Sequence, residues 1–191
     1  MQIDPSSGLI REARQVTSPN ADARPEGAPL DLVVVHSISL PPGEFGGPWI
    51  EQLFCNQLPA DKHPYFAEIH QLKVSAHVLI RRDGELVQFV PLQQRAWHAG
   101  QSNYCGREAC NDFSIGIELE GTDTSTFEAI QYQKLAELIS ALCSTYPDID
   151  PGKITGHSDI APGRKTDPGS GFEWDKLYAL LNHNTSGQQS A

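Results

Sequence analysis

Apolar residues fall along this chain in two kinds of run, continuous and periodic, and each predicts a different element. Leu30 to His36 is apolar at nearly every position and rich in β-branched side chains, which suits a central strand covered on both faces. Ala76 to Arg82 and Glu85 to Val90 flank Asp83-Gly84, a dipeptide that supplies positive φ, and predict an antiparallel hairpin closed by a two-residue turn. From Ser114 to Glu120 the alternation is strict, with Ile115, Ile117 and Leu119 facing one way and Gly116, Glu118 and Glu120 the other. Helical spacing takes over at Phe127, Ile130, Leu135, Leu138, Ile139 and Leu142. A capping-box pattern, Ser125-Thr126-Phe127-Glu128, opens that helix and Tyr146-Pro147 stops it. A second amphipathic stretch, Glu173 to Leu181, predicts a C-terminal helix carrying Trp174, Leu177, Leu180 and Leu181 on one side, followed by a polar, disordered tail over 183–191.

These elements give an α/β (mixed α+β) class: a central mixed sheet flanked by helices, in one domain over residues 1–182. The segment 41–73 is an exception, because it joins two strands through far more residues than the usual ~4–6 of a compact domain. Rich in Pro and Gly, with a short helix expected from Trp49 to Phe54 after Pro48, it is expected to form a substrate wall.

Composition narrows the partners. With 24 acidic against 14 basic residues the chain carries a formal charge of -10, which repels nucleic-acid backbones and anionic membranes on average. The first residues lack a signal-peptide core, and no stretch approaches the ~18 apolar residues of a membrane span, so a cytoplasmic, monomeric protein acting on a small molecule is expected. Cys55, Cys105, Cys110 and Cys143 form no C-x-x-C pair and are expected as free thiols, with a Cys105–Cys110 bridge the weaker alternative.

Three polar residues stand where packing gives no reason for them: His36 ending Leu32-Val33-Val34-Val35, His157 in Ile154-Thr155-Gly156-His157, and Asp167 in Arg164-Lys165-Thr166-Asp167. Two imidazoles and a carboxylate are the ligand set of a catalytic Zn2+, which keeps its fourth position for water; a structural zinc needs a fourth protein ligand. Of the other histidines, His77 lies in an apolar strand and is expected to be a satisfied core residue.

Six collinear blocks then resemble a known family. Val-Val-His-Ser-Ile-Ser-Leu-Pro-Pro-Gly-Glu-Phe-Gly-Gly (34–47), His-Pro-Tyr-Phe (63–66), Val-Ser-Ala-His-Val-Leu-Ile (74–80) and Arg-Ala-Trp-His-Ala-Gly (95–100) resemble the N-acetylmuramoyl-L-alanine amidases of the peptidoglycan-recognition type. Residues 111–123 and 156–169 are similar to the branch that cleaves cytosolic 1,6-anhydro-muropeptides. The resemblance implies the amidase type 2 fold, zinc held by His36, His157 and Asp167, and Glu118 with Lys165 as the catalytic pair; alternation alone does not separate Glu118 from Glu120. It further implies anhydromuramyl-peptide substrates, peptidoglycan recycling and a lowered signal for β-lactamase induction. Candidate substrate contacts are Ser37, Trp97, His98, Lys73 and Arg107, with Arg95 a further cation for the stem carboxylates. Ser37 stands where many members carry Asn, Lys73 where an Arg is familiar, and Ser158 where close members carry Cys. The rival readings are an amidase that lyses intact wall and a non-catalytic peptidoglycan-binding module; the filled ligand positions count against the second.

Overall fold

The computed structural model describes residues 1–188, with side chains through His183. Six strands form the central sheet: β1 (Arg14–Gln15), β2 (Leu32–Ile38), β3 (Val78–Ile80), β4 (Leu86–Gln88), β5 (Ser114–Glu120) and β6 (Ile154–Gly156). Their spatial order is β6-β2-β5-β3-β4-β1. The pairs β6/β2, β2/β5, β5/β3 and β4/β1 are parallel, and β3/β4 is antiparallel. The sheet is therefore mixed, as the sequence pattern requires.

Both faces are covered, which is why β2 opens on an apolar run: Leu32, Val33, Val34 and Val35 are all fully buried. Val33 and Val35, with Ile115, Ile117 and Leu119, pack against α3 (Ala129–Thr145) and α5 (Trp174–Gln188). The opposite face of β3 and β4, through Leu79 and Val87, packs on the insertion, whose helices α1 (Trp49–Phe54) and α2 (Pro64–Ile69) contribute Ile50, Leu53, Phe54 and Phe66. Segment 41–73 thus has a core of its own, and α2 is an element that sequence periodicity did not predict. His63 caps it, its Nδ1 accepting from the Tyr65 N–H.

Three boundaries differ from expectation. Residues 81–85 join β3 to β4, and the turn among them has three residues, 82–84, because only Gly84 adopts positive φ and the Arg81 N–H donates to the Glu85 carbonyl across it. Helix α3 starts at Ala129, four residues after the expected cap: Ser125 and Thr122 instead bond each other's backbone, and the cap is Glu128, whose N–H donates to Gln131 Oε1. Phe127, just outside the helix, packs edge-on against Tyr132 and fixes the entry angle. Helix α5 continues through 183–188, where a tail was expected; the remaining tail residues, 189–191, lie outside the described residues.

Candidate functional site

His36 and Glu118 are register partners on the adjacent parallel strands β2 and β5, so their side chains leave the same face of the sheet side by side. His157 follows β6 directly, as the first residue of α4 (His157–Ile160). Three neighbouring parallel strands therefore deliver their carboxyl ends to one place, where ligand sites of open α/β sheets form. Asp159 fixes the turn that presents His157, its Oδ2 accepting from the Gly156 N–H at 3.0 Å and the Thr155 hydroxyl at 3.2 Å. Asp167 arrives on the loop after α4, held there by a bond from the Ser158 N–H to the Asp167 carbonyl.

The three candidate ligand atoms form a small triangle: His36 Nδ1 to His157 Nδ1 is 2.9 Å, His36 Nδ1 to Asp167 Oδ2 3.0 Å, and His157 Nδ1 to Asp167 Oδ2 3.1 Å. Among the described residues this is the group of His, Cys, Asp or Glu side chains able to share a metal ion. Both imidazoles are buried, and burial holds the His36 ring neutral by lowering its pKa to about 4. On the far side of His157, Nε2 lies 3.1 Å from the Ala99 carbonyl and 3.4 Å from Arg164 Nη2; a proton on Nε2 satisfies the nearer carbonyl and leaves the Nδ1 lone pair pointing into the triangle. Arg164 donates to the same carbonyl and to that of Gln101, both at 2.6 Å. Converging lone pairs and an anion about 3 Å apart suit a divalent cation with N and O ligands at ~2.0–2.2 Å.

Glu118 stands beside the triangle. Its Oε2 is buried with no hydrogen-bond partner. Burial first, and the Asp167 charge second, push its pKa well above the usual value, against a smaller opposing pull from Lys165. Such a carboxyl takes up a proton more readily than a solvated one, which suits it to proton transfer. Glu120, the other carboxylate of the pair, is committed elsewhere: it accepts from the Gly46 N–H at 2.6 Å and pairs with Arg81 at 3.3 Å, tying the insertion to β5.

The three candidate ligands and Glu118 open on one cavity of about 530 Å³, which Lys165 also lines. Its apolar wall comes from the insertion (Leu53, Tyr65, Ile69, Leu72), and its polar wall from Thr122, Asp123 and Thr124 after β5. Of the candidate substrate contacts, Ser37, Trp97 and His98 line it. Lys73 does not: the extended chain turns Leu72 and Val74 into the cavity and leaves Lys73 exposed between them. Arg107 is held outside, its guanidinium 3.1 Å from Asp31 and stacked on the Phe113 ring at 4.0 Å. Arg95 is likewise spent on Asp22 and Asp112. His98 is fully engaged beneath His36 rather than free for a ligand, its Nδ1 2.9 Å from His36 Nε2. His77 is a satisfied core residue: it accepts from the Gly116 N–H at Nδ1 and faces the Gln94 carbonyl at Nε2. All four cysteines are free. Sequence reasoning assigned no role to Tyr65 or to the 122–124 wall, although Tyr65, Thr122 and Asp123 lie in blocks that carry the resemblance, since nothing in the residue types there singles them out as lining.

Comparison with known proteins gives concordant results. A family model described as N-acetylmuramoyl-L-alanine amidase matches residues 26–170. The 1,6-anhydro-N-acetylmuramyl-L-alanine amidase AmpD of Salmonella typhimurium (strain SL1344) is 59% identical over 177 residues, which are 93% of this chain and 94% of that protein. A crystal structure of a selenomethionine AmpD derivative superposes with a TM-score of 0.91 at 58% identity, over 95% of this chain and 99% of the other. The Escherichia coli amidase AmiD, in complex with anhydro-N-acetylmuramic acid-L-Ala-D-γ-Glu-L-Lys, superposes with a TM-score of 0.58 at 30% identity, over 82% and 60% of the two chains.

Proposed function

Because the chain belongs to the N-acetylmuramoyl-L-alanine amidase family, we propose that it is a zinc enzyme that hydrolyses the amide bond between the lactyl group of 1,6-anhydro-N-acetylmuramic acid and L-alanine. The observation that carries this reading is the His36, His157 and Asp167 triangle beside a half-buried Glu118, whose Oε2 has no hydrogen-bond partner, in one cavity. Those three side chains would hold the ion. A bound Zn2+ supplies Lewis acidity that makes water nucleophilic near neutral pH. Glu118 accepts the proton of the attacking water and returns it to the alanine nitrogen as the C–N bond breaks, a role worth about 10²–10⁴-fold in rate. Lys165 offers its ammonium to the oxygen that gains charge when the amide carbonyl is attacked. Trp97 gives an indole face to the sugar and Ser37 a hydroxyl to its polar groups.

In the cell this is a cytosolic recycling activity on soluble wall-turnover fragments, which removes the muropeptide that induces β-lactamase. Among the described residues, no helix is long and apolar enough to cross a membrane. The substrate assignment is tested by comparing kcat/KM on anhydromuramyl-tripeptide, on a nucleotide-linked muramyl-peptide and on intact sacculi. The anhydro compound is expected to be strongly preferred. Comparable rates on the nucleotide-linked precursor, or efficient release of peptides from sacculi with poor turnover of the anhydro compound, contradict it.

A further inference from the structure

A neutral imidazole can present a lone pair to a cation at Nδ1 only if its proton sits on Nε2, and something must hold it there. For His157 the answer is immediate, because Nε2 faces a carbonyl that can only accept. For His36 it is not. Its Nε2 faces another imidazole, His98 Nδ1 at 2.9 Å, and either ring can donate to the other. If His98 donated, the His36 proton would sit on Nδ1, inside the ligand triangle.

The direction is decided two bonds further on. His98 Nε2 lies 3.2 Å from the Ser114 hydroxyl, and that hydroxyl lies 2.5 Å from the Cys110 carbonyl oxygen. A carbonyl has no proton to give, so the single Ser114 proton lies between the two oxygens. Ser114 Oγ then accepts from His98 Nε2, His98 Nδ1 is a bare acceptor, and His36 donates to it from Nε2. We propose that Ser114 is a positioning residue for the reaction: through His98 it presets the His36 tautomer that can bind a metal. Packing locks the relay in place. Ser114 is the first residue of β5 and fully buried, the His98 N–H donates to Asn111 Oδ1 at 3.1 Å, and a Cβ on Gly116 would fall 2.4 Å from the His98 ring. Only glycine at 116 leaves room for that ring.

The inference rests on the metal reading of the triangle, but its first test does not need metal. Long-range 1H–15N correlation spectra of protein labelled with 15N-histidine report which ring nitrogen is protonated. In the metal-free chain, His36 and His98 are both expected as Nε2–H tautomers; His98 as the Nδ1–H tautomer overturns the proposal. In Ser114→Ala, His98 loses its acceptor and is expected to populate the Nδ1–H form, with zinc transferring to a chelator about tenfold faster and kcat falling while KM stays within about twofold. Ser114→Thr, which keeps the hydroxyl, is expected to restore tautomer and zinc retention. Unchanged tautomers and an unchanged zinc off-rate in Ser114→Ala overturn the proposal. Should Ser114→Ala fail to fold, the parent spectra and Ser114→Thr still decide it. A parent with the expected tautomers that takes up no zinc supports the relay and sinks only the metal reading.

Discussion

Two carboxylates two residues apart on β5 do unlike work, and the difference comes from what each touches. Alternation puts Glu118 and Glu120 on one face and stops there. Glu120 ends under Arg81 and the Gly46 N–H, whereas Glu118 is left without a partner beside the ligand triangle. Glu118→Gln is therefore expected to keep its zinc and its fold while kcat drops by about 10²–10⁴-fold. Glu120→Ala should keep most of its turnover and lose about 1–3 kcal/mol of stability, because it strands the Gly46 N–H and part of Arg81. Metal analysis, kcat and thermal melts on the two variants check this, and the reverse ranking would mean the roles are exchanged. The raised pKa of Glu118 adds a sign. A carboxyl that binds its proton more tightly folded than unfolded costs stability above its ordinary pKa, so metal-free Glu118→Gln should melt higher than the metal-free parent at pH 7.

At the scale of elements, the strands were legible where burial dictates composition and the loops where backbone geometry does not compete with it. The apolar run of β2 and the alternation of β5 could be read directly, because a strand between two layers admits few other patterns. The start of α3 could not, since Ser125 satisfies the capping pattern and also the turn it forms with Thr122. Helix α2 lacked periodicity because Phe66 alone of its residues is fully buried. The triangle was legible as three out-of-place polar residues; the relay behind it was not, because Ser114 and Gly116 look like ordinary strand residues until His98 lies on them. Glycines in the site loops carry a further expectation. Gly169 has φ +80°, and a Cβ there would fall 2.2 Å from the Asp123 Cα, so it lets the loop bearing Asp167 close against the 122–125 segment. Gly169→Ala should cost about 1–3 kcal/mol and lower zinc retention, readable in melts and in metal transfer to a chelator. Parental values for both would show that this loop does not need the close approach.

Across the whole molecule the site and the core share one weakness, which is acid. Burial, helped by the nearby Arg24 charge, lowers the His77 pKa to about 3 and the same effect lowers His36 to about 4, against an ordinary value of 6.5. Between those values and 6.5 the unfolded chain binds protons that the folded chain refuses, so the histidines' contribution to stability is full above about pH 6.5 and falls steadily below it, opposite in sign to that of Glu118. Denaturant unfolding of metal-free Glu118→Gln, which removes the opposing carboxyl, should show a midpoint that drops from pH 6.5 to pH 4, and a flat profile would contradict the buried neutral histidines. Zinc acts in the opposite sense: a hundredfold excess over Kd adds about 2.7 kcal/mol by mass action alone. For a chain of this size that is about 5–10 °C in Tm.

The most direct test joins metal to chemistry in one assay. Metal-free protein and the same protein reloaded with one equivalent of Zn2+ are incubated with a defined anhydromuramyl-tripeptide, and the products are identified by mass spectrometry. The expected result is cleavage between the lactyl carbonyl and L-alanine, giving free anhydro-N-acetylmuramic acid and intact tripeptide, in the reloaded sample only. Equal cleavage by the metal-free protein, or cleavage at another bond, would contradict the assignment of the His36, His157 and Asp167 site.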